Sequence, residues 1–392
     1  MSMKHCSIRT VIGWLAFFSA VGSPAMASEA GGGPEKHPSR DGLFDRMKIT
    51  KIGITLDKEA IESLNTNAFY YVPARIEEAG FVYPKVGLHL KGVSTFEKLD
   101  QKPSVTLKFD LFDPESSFHG LSKVMLNNAH GEDTYIQELL ARDCFLAAGV
   151  KTPRVNYARL TLNGRELGLY LLIEGITGDF LKEAFGTKKG NLYEADENDV
   201  NGQMEQDFGK RSRRQMDLTP LVTALKEPDL SKRFAELEKV LDLDEFISYV
   251  AVEALINVWD GYTMRLNNYR VFCNHLTGKV TFIPHGLDNI FAEPDYPLVP
   301  ETKGLVSRAV LETPEGMKRY RKRVAELHST MMKKEALYKK IDSWVSVIRP
   351  TLAELGQAKT HQRAIVVIKK RIESRLEFID KNLPAFLEGK SP

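Results

Sequence analysis

The chain has 392 residues, with 54 Lys and Arg against 52 Asp and Glu, and only three cysteines. Charge this close to balance supplies no global field for nucleic acid, and no basic stripe is interleaved with aromatics. So few cysteines make neither a disulfide framework nor an all-thiolate zinc site.

The first signal in chain order is a leader. Lys4 and Arg9 precede an apolar run, Val11 to Gly22, and Pro24-Ala25-Met26-Ala27 puts small residues where a signal peptidase reads. The pattern predicts an export signal over 1–27, cut after Ala27, because the run is short for a bilayer core of about 30 Å. No later stretch approaches about 20 apolar residues, so no stable membrane span is expected after cleavage. Losing Lys4 and Arg9 leaves basic and acidic residues even at 52. Export leaves two readings open for Cys144 and Cys273, a disulfide or two buried free thiols. Ser28 to Gly42 is rich in Gly, Pro and charge, and 28–46 is expected to be a flexible tether.

From residue 47 the texture changes. Residues 48–56 alternate as a strand, and Asp57 is placed to cap a short helix over 58–64. Residues 70–76, 85–91, 104–109 and 124–127 read as strands. Residues 135–148 have helical spacing ended by Gly149. Residues 156–162 and 167–174 flank Asn163-Gly164, the dipeptide a tight type I′ hairpin needs. Residues 244–258 are apolar at helical spacing. Residues 269–273 and 279–283 form another hairpin pattern. From Glu315 helices run almost unbroken, with interruptions expected at Pro350 and Gly356. A strand-rich first part and a helix-rich second part predict an α+β domain over 47–390, divided near residue 175.

Within this order the sequence resembles the CotH kinase family. Val86-Gly87-Leu88-His89-Leu90-Lys91-Gly92-Val93-Ser94-Thr95 is similar to that family's V-G-x-R-x-K-G-x-S-[ST] stretch. Lys102-Pro103-Ser104 with Lys108-Phe109 resembles its K-x-S-x-x-x-K-F segment. Asn163-Gly164 and Gly168-Leu169-Tyr170 through Glu174 resemble its N-G-x-x-x-G-L-Y-x-L-x-E hairpin. Gly190-Asn191-Leu192-Tyr193, Trp259-Asp260-x-Tyr262, Asn268-Tyr269 and Ile283-Pro284-x-x-Leu287-Asp288 follow in family order. The resemblance implies an atypical protein-kinase-like fold, with a strand-rich lobe over 47–175 and a helix-rich lobe over 176–390. It implies ATP with Mg²⁺ or Mn²⁺, and transfer of the γ-phosphate to Ser or Thr of a secreted or envelope protein. Phosphoryl transfer needs a lysine on the phosphates, oxygen ligands for the metal and a carboxylate for the hydroxyl.

Each candidate has a functional and a plain reading. Lys91, at a strand end before Gly92, suits a phosphate contact or a solvated amine. Lys108, inside an apolar strand, is a second phosphate candidate, ahead of Lys102. Glu174 ends an apolar strand and needs a partner, a lysine or the nucleotide, unless it caps the next turn. Asp260, after an apolar helix and before Gly261, is the best catalytic or metal candidate. Asn268 offers an amide oxygen to metal, and Asp288 a second metal carboxylate. Departures cluster here. Gly286 stands where the family has a carboxylate, Asn267 where it has His, His89 where it has Arg, and Val93 where a polar residue is usual. His285 suits softer metals than Mg²⁺. These departures keep a second reading alive, a catalytically inactive kinase-like surface protein that binds an envelope partner. No G-x-S-x-G, H-E-x-x-H or C-x-x-C motif offers other chemistry. Substrate identity and oligomeric state are not legible.

Overall fold

The computed structural model describes residues 39–195 and 197–390, without the side chains of 213 and 214. The expected signal over 1–27 and the tether up to residue 38 lie outside the described residues. Ser39 caps a single turn, α1 (Arg40–Leu43), whose Leu43 is buried. Asn156 Nδ2 donates to the Leu43 carbonyl at 2.7 Å, so the last part of the segment read as a tether is packed chain.

The alternating segments form strands as expected, with shifted ends. They are β1 (Ile49–Thr55), β2 (Val72–Glu78), β3 (Phe81–Lys91), β4 (Ser104–Lys108), β5 (Lys123–Asn127), β6 (Val155–Leu162) and β7 (Arg165–Glu174). Two helices interrupt them. Asp57 accepts from Ala60 N and caps α2 (Lys58–Thr66), and α3 (Gln137–Ala147) ends before Gly149. The strands close a barrel in the order β1-β2-β3-β4-β5-β7-β6. Neighbours are antiparallel except β1 and β6, which close the barrel in parallel, with Ile49 opposite Tyr157 and Ile54 opposite Leu162. Asn163 (φ 47°) and Gly164 (φ 78°) both take left-handed backbone between β6 and β7, as a type I′ turn requires.

Alternation explains where each strand points. Val105, Leu107, Val124 and Leu126 enter the barrel core. On β7, Tyr170 and Leu172 face that core, while Leu169, Leu171 and Ile173 face a second core built with the helices. A strand buried on both faces reads as an unbroken apolar run, which is why this one is so clear in the sequence.

The second part is α4 (Gly178–Phe185), β8 (Gly190–Glu194), β9 (Glu205–Phe208), α5 (Thr219–Leu225), α6 (Leu230–Val240), α7 (Leu243–Leu255), α8 (Tyr262–Arg265), β10 (Tyr269–Asn274), β11 (Lys279–Pro284), α9 (Leu305–Leu311), α10 (Pro314–Met331), α11 (Lys334–Glu354) and α12 (Ala358–Leu387). The class is α+β, as expected. The helix-rich span carries its own sheet, ordered β11-β10-β8-β9, of which only the β10–β11 hairpin was read as strand. Helix α11 runs through Pro350 without ending. The interruption expected at Pro350 does not occur, while the one expected at Gly356 does, in left-handed backbone (φ 73°). Eleven of the thirteen residues of α7 are buried, from Phe246 to Leu255 without a gap, which makes it the central helix. Cys144 and Cys273 are both buried and free, so the free-thiol reading holds. No described helix is long and apolar enough to cross a membrane.

Candidate active site

The barrel's outer face and the β10–β11 end of the second sheet bring four of the expected residues together. Lys91 ends β3 opposite Ser104, with its neighbour Leu90 in the barrel core, so Lys91 points outward. Its amine is enclosed, and the only hydrogen-bond partner for Nζ among the described residues is the weak acceptor Met125 Sδ, at 3.9 Å. Burial pushes its pKa down. Glu138, Asp288 and Glu194 oppose that shift, and Arg270 reinforces it.

Glu138, on the first turn of α3, is the site residue that sequence reasoning missed most plainly. It is 3% exposed, its Oε2 has no partner, and burial followed by the Asp288 charge raises its pKa to about 8. A hydrogen bond from the Leu287 backbone ties it to the segment that carries Asp288. Gln137 makes a parallel tie, accepting from Ile290 N at 3.0 Å. Glu132, just before α3, is raised to about 7 by burial, against hydrogen bonds from Thr134 and Gln137 and with the Asp288 charge adding to the rise. In sequence Gln137-Glu138 reads as an ordinary polar first turn of a helix that also carries Arg142 and Asp143, so no local signal marked it.

Asp260 and Asp288 act on one another. Burial raises the pKa of each. Lys91 offsets part of the rise at Asp288, and Asn267, Arg265 and Asn268 offset part of it at Asp260. Asp260 Oδ2 accepts from Asn267 Nδ2 at 2.9 Å and from Asn268 Nδ2 at 3.2 Å, and Asn268 Nδ2 also donates to the Asp260 carbonyl at 2.9 Å. The amide of Asn268 is thereby fixed with its Oδ1 against Gly286. A Cβ on Gly286 would lie 2.4 Å from that oxygen, and Gly286 has φ 62°. The space a side chain at 286 would take is therefore filled by the Asn268 amide.

The loops bearing the two carboxylates are fastened together. Phe291 N donates to the Ile256 carbonyl at 2.7 Å, and Glu293 N to Asn257 Oδ1 at 2.7 Å. Arg375 of α12 is fully buried and donates to Ala254 O (2.7 Å) and Leu255 O (3.1 Å), the last carbonyls of α7, and to Pro294 O (3.0 Å). A cation at a helix C-terminus satisfies carbonyls that the helix itself leaves unpaired.

Beyond Lys91 lies a second group of charges. Arg270 is 6% exposed and joins Glu194 (2.5 Å) and Asp207 (3.1 Å). Burial opposes ionisation of Glu194, but the Arg270 guanidinium is the main cause that brings its pKa down to about 2. Burial and then the Arg270 charge lower His285 to about 3, so its ring is neutral, with Nε2 3.8 Å from Glu194. Lys108 sits opposite Lys123 across β4 and β5. Glu174 is not brought into either group. Its side chain is held by Arg154, with Nε at 3.0 Å and Nη2 at 2.8 Å.

Among the described residues no three His, Cys, Asp or Glu side chains are grouped to hold a metal ion. The donors brought to this part of the site are the Asp260 and Asp288 carboxylates and the Asn268 amide oxygen, the last packed against Gly286. They are all oxygen, which suits a hard cation that takes one or two protein carboxylates and completes its shell from phosphate. The enclosed amine of Lys91 suits the phosphate itself. The residues present therefore fit Mg²⁺ with a nucleotide, and do not form a metal cage of their own.

A family model described as CotH kinase protein matches residues 88–383. The chain is also 20% identical over 299 residues to the inner spore coat protein H of Bacillus subtilis (strain 168), an alignment that covers 69% of this chain and 81% of that protein.

Proposed function

The chain belongs to the CotH kinase family, and we propose that it is an exported protein kinase-like enzyme. In this reading it moves the γ-phosphate of ATP to a Ser or Thr hydroxyl of a secreted or envelope protein. The observation that carries the reading is the convergence of Lys91, Glu138 and Asp288 about an enclosed amine without a bonded carboxylate. A buried amine and a buried carboxylate without close counter-ions are costly in an empty protein, and such perturbed groups gather at functional sites. The barrel then serves as the strand-rich lobe and the remainder as the helix-rich lobe.

Lys91 would anchor phosphate oxygens, with Glu138 on α3 steadying the amine. Asp288 and the Asn268 oxygen would hold Mg²⁺ or Mn²⁺, which neutralises charge on the transferring group. Asp260, held in place by two amide donors on Oδ2, would take the acceptor's hydroxyl proton through Oδ1. As that proton leaves, the acceptor oxygen bonds to phosphorus and the bond to the ADP oxygen breaks. Its raised pKa moves Asp260 towards the range where it can hold a proton.

One observation favours the second reading, a kinase-like protein kept for binding an envelope partner. Gly286 removes a carboxylate that the family usually has, and the Asn268 amide fills the gap. The test is incorporation of labelled phosphate from ATP with Mg²⁺ or Mn²⁺, by the chain and by Asp260→Ala and Asp288→Ala. The expected result is incorporation that both substitutions lower by 100-fold or more, on the order of a lost essential group. No incorporation, together with no calorimetric ATP binding, would leave the binding reading.

A further inference from the structure

The outer face of the barrel carries a second cationic position that the phosphate-transfer chemistry does not use. On β4 and β5 the core-facing residues are Val105, Leu107, Val124 and Leu126, so Lys108 and Lys123 point outward, directly opposite one another. Like charges directly opposite in a sheet are destabilising. Lys91 lies four residues from Gly87, the β3 partner of Lys108, which is about 13 Å along the strand. His89 stands between the two positions and feels the charges of both Lys91 and Lys123.

Lys123 is further crowded by Arg270, whose two carboxylate partners, Glu194 and Asp207, are both engaged by its guanidinium. Among the described residues no carboxylate forms an ion pair with Lys108 or Lys123. Burial lowers the pKa of the Lys123 amine, with Arg270 adding to the shift. Asp207 and Glu194 act on Lys123 in the opposite sense, but their ion pairs are with Arg270. Two opposed lysines, one enclosed and neither in an ion pair among the described residues, make an arrangement that an anion would relieve. Asp207 also lines a neighbouring groove of about 770 Å³ beside β9.

We propose that Lys108 and Lys123 form a second anion subsite, for a phosphate or carboxylate group, on the barrel face beside Arg270 and apart from Lys91. The subsite stands whether or not the chain transfers phosphate, because it concerns binding at a different pair of amines.

The test uses inorganic phosphate as probe, read by calorimetry and by melting temperature, on the wild-type chain and on Lys123→Gln, Lys108→Gln and Lys91→Gln. With saturating ADP present to occupy the Lys91 position, phosphate should bind the wild type and Lys91→Gln alike, and at least ten-fold more weakly to Lys123→Gln and Lys108→Gln. Without phosphate, Lys123→Gln should melt no lower than the wild type, because it loses a like-charge opposition. Complete loss of phosphate binding on saturation with ADP, or in Lys91→Gln, would overturn the separation of the two positions. Absence of phosphate binding by the wild type, or a clearly lower melting point of empty Lys123→Gln, would overturn the subsite itself.

Discussion

The barrel interior and the charged region on its outer wall are both withdrawn from water, yet they are built on opposite terms. Inside, Val86, Leu88, Leu107, Val124 and Leu126 are at most 1% exposed and pack only against other apolar groups. Each such side chain contributes about 2 kcal/mol to folding by leaving water. Outside, Lys91, Glu132, Glu138, Asp288 and His285 are withdrawn with too few partners, and burial moves the pKa of every one of them. The first region stabilises the fold. The second weighs against it and is sustained by the first, as expected where a ligand supplies the missing counter-charges.

Five substitutions break or sharpen that contrast. The largest effect is expected from Arg154→Met, which strands Glu174 (2% exposed) without its bidentate partner. Removing one member of a buried pair costs about 4 kcal/mol. A urea midpoint shift well under 1 kcal/mol would mean that buried charge here is cheaper than claimed. Leu107→Ala comes next, at about 3 kcal/mol for a fully buried leucine in the barrel. It should leave the pH dependence of stability unchanged.

The charged region should instead make stability depend on pH from both sides. His285 is lowered from 6.5 to about 3. Its contribution is present above pH 6.5 and is lost as pH falls towards 3, because the unfolded ring takes up a proton that the folded ring refuses. Glu138 is raised from 4.5 to about 8. Its contribution is full below pH 4.5 and is lost as pH rises through 8. Urea midpoints across pH 3 to 9 should therefore flatten on the acid side in His285→Asn and on the alkaline side in Glu138→Gln. Parallel curves for variant and wild type would contradict the assignment. The smallest effect belongs to Asp57→Ala, which touches neither region. Losing the α2 cap costs about 1 kcal/mol, with no change in ATP or phosphate binding.

What the sequence made legible follows the same divide. The barrel strands, the Asn163-Gly164 turn, the Asp57 cap and the buried helix α7 rest on local periodicity and local hydrogen bonds, which a linear sequence carries. The four-residue β9 is mostly polar and too short to show a period, and α5 and α9 have only seven residues each. Pro350 misled because a proline far along a well-packed helix can be absorbed, whereas left-handed Gly356 cannot continue one. In the site, Lys91, Asp260, Asn268 and Asp288 stood out because they end apolar elements beside glycines or turns. Glu138, Lys123 and Arg270 lie within elements, and their meaning comes from partners far away in the chain. Glu174 looked like Asp288 in sequence, but its partner is Arg154, twenty residues earlier.

The parallel seam between β1 and β6 has a consequence for how the chain folds. The first barrel strand finds its closing partner only roughly a hundred residues later, and contacts of such long sequence separation form slowly. Until β6 arrives, one edge of β1 stays open, so the nascent chain keeps an unpaired template exposed. A chain held too long in that state aggregates through the same edge. Refolding should therefore be slow and concentration-sensitive, with the β1–β6 seam the last part of the barrel to gain protection from hydrogen exchange.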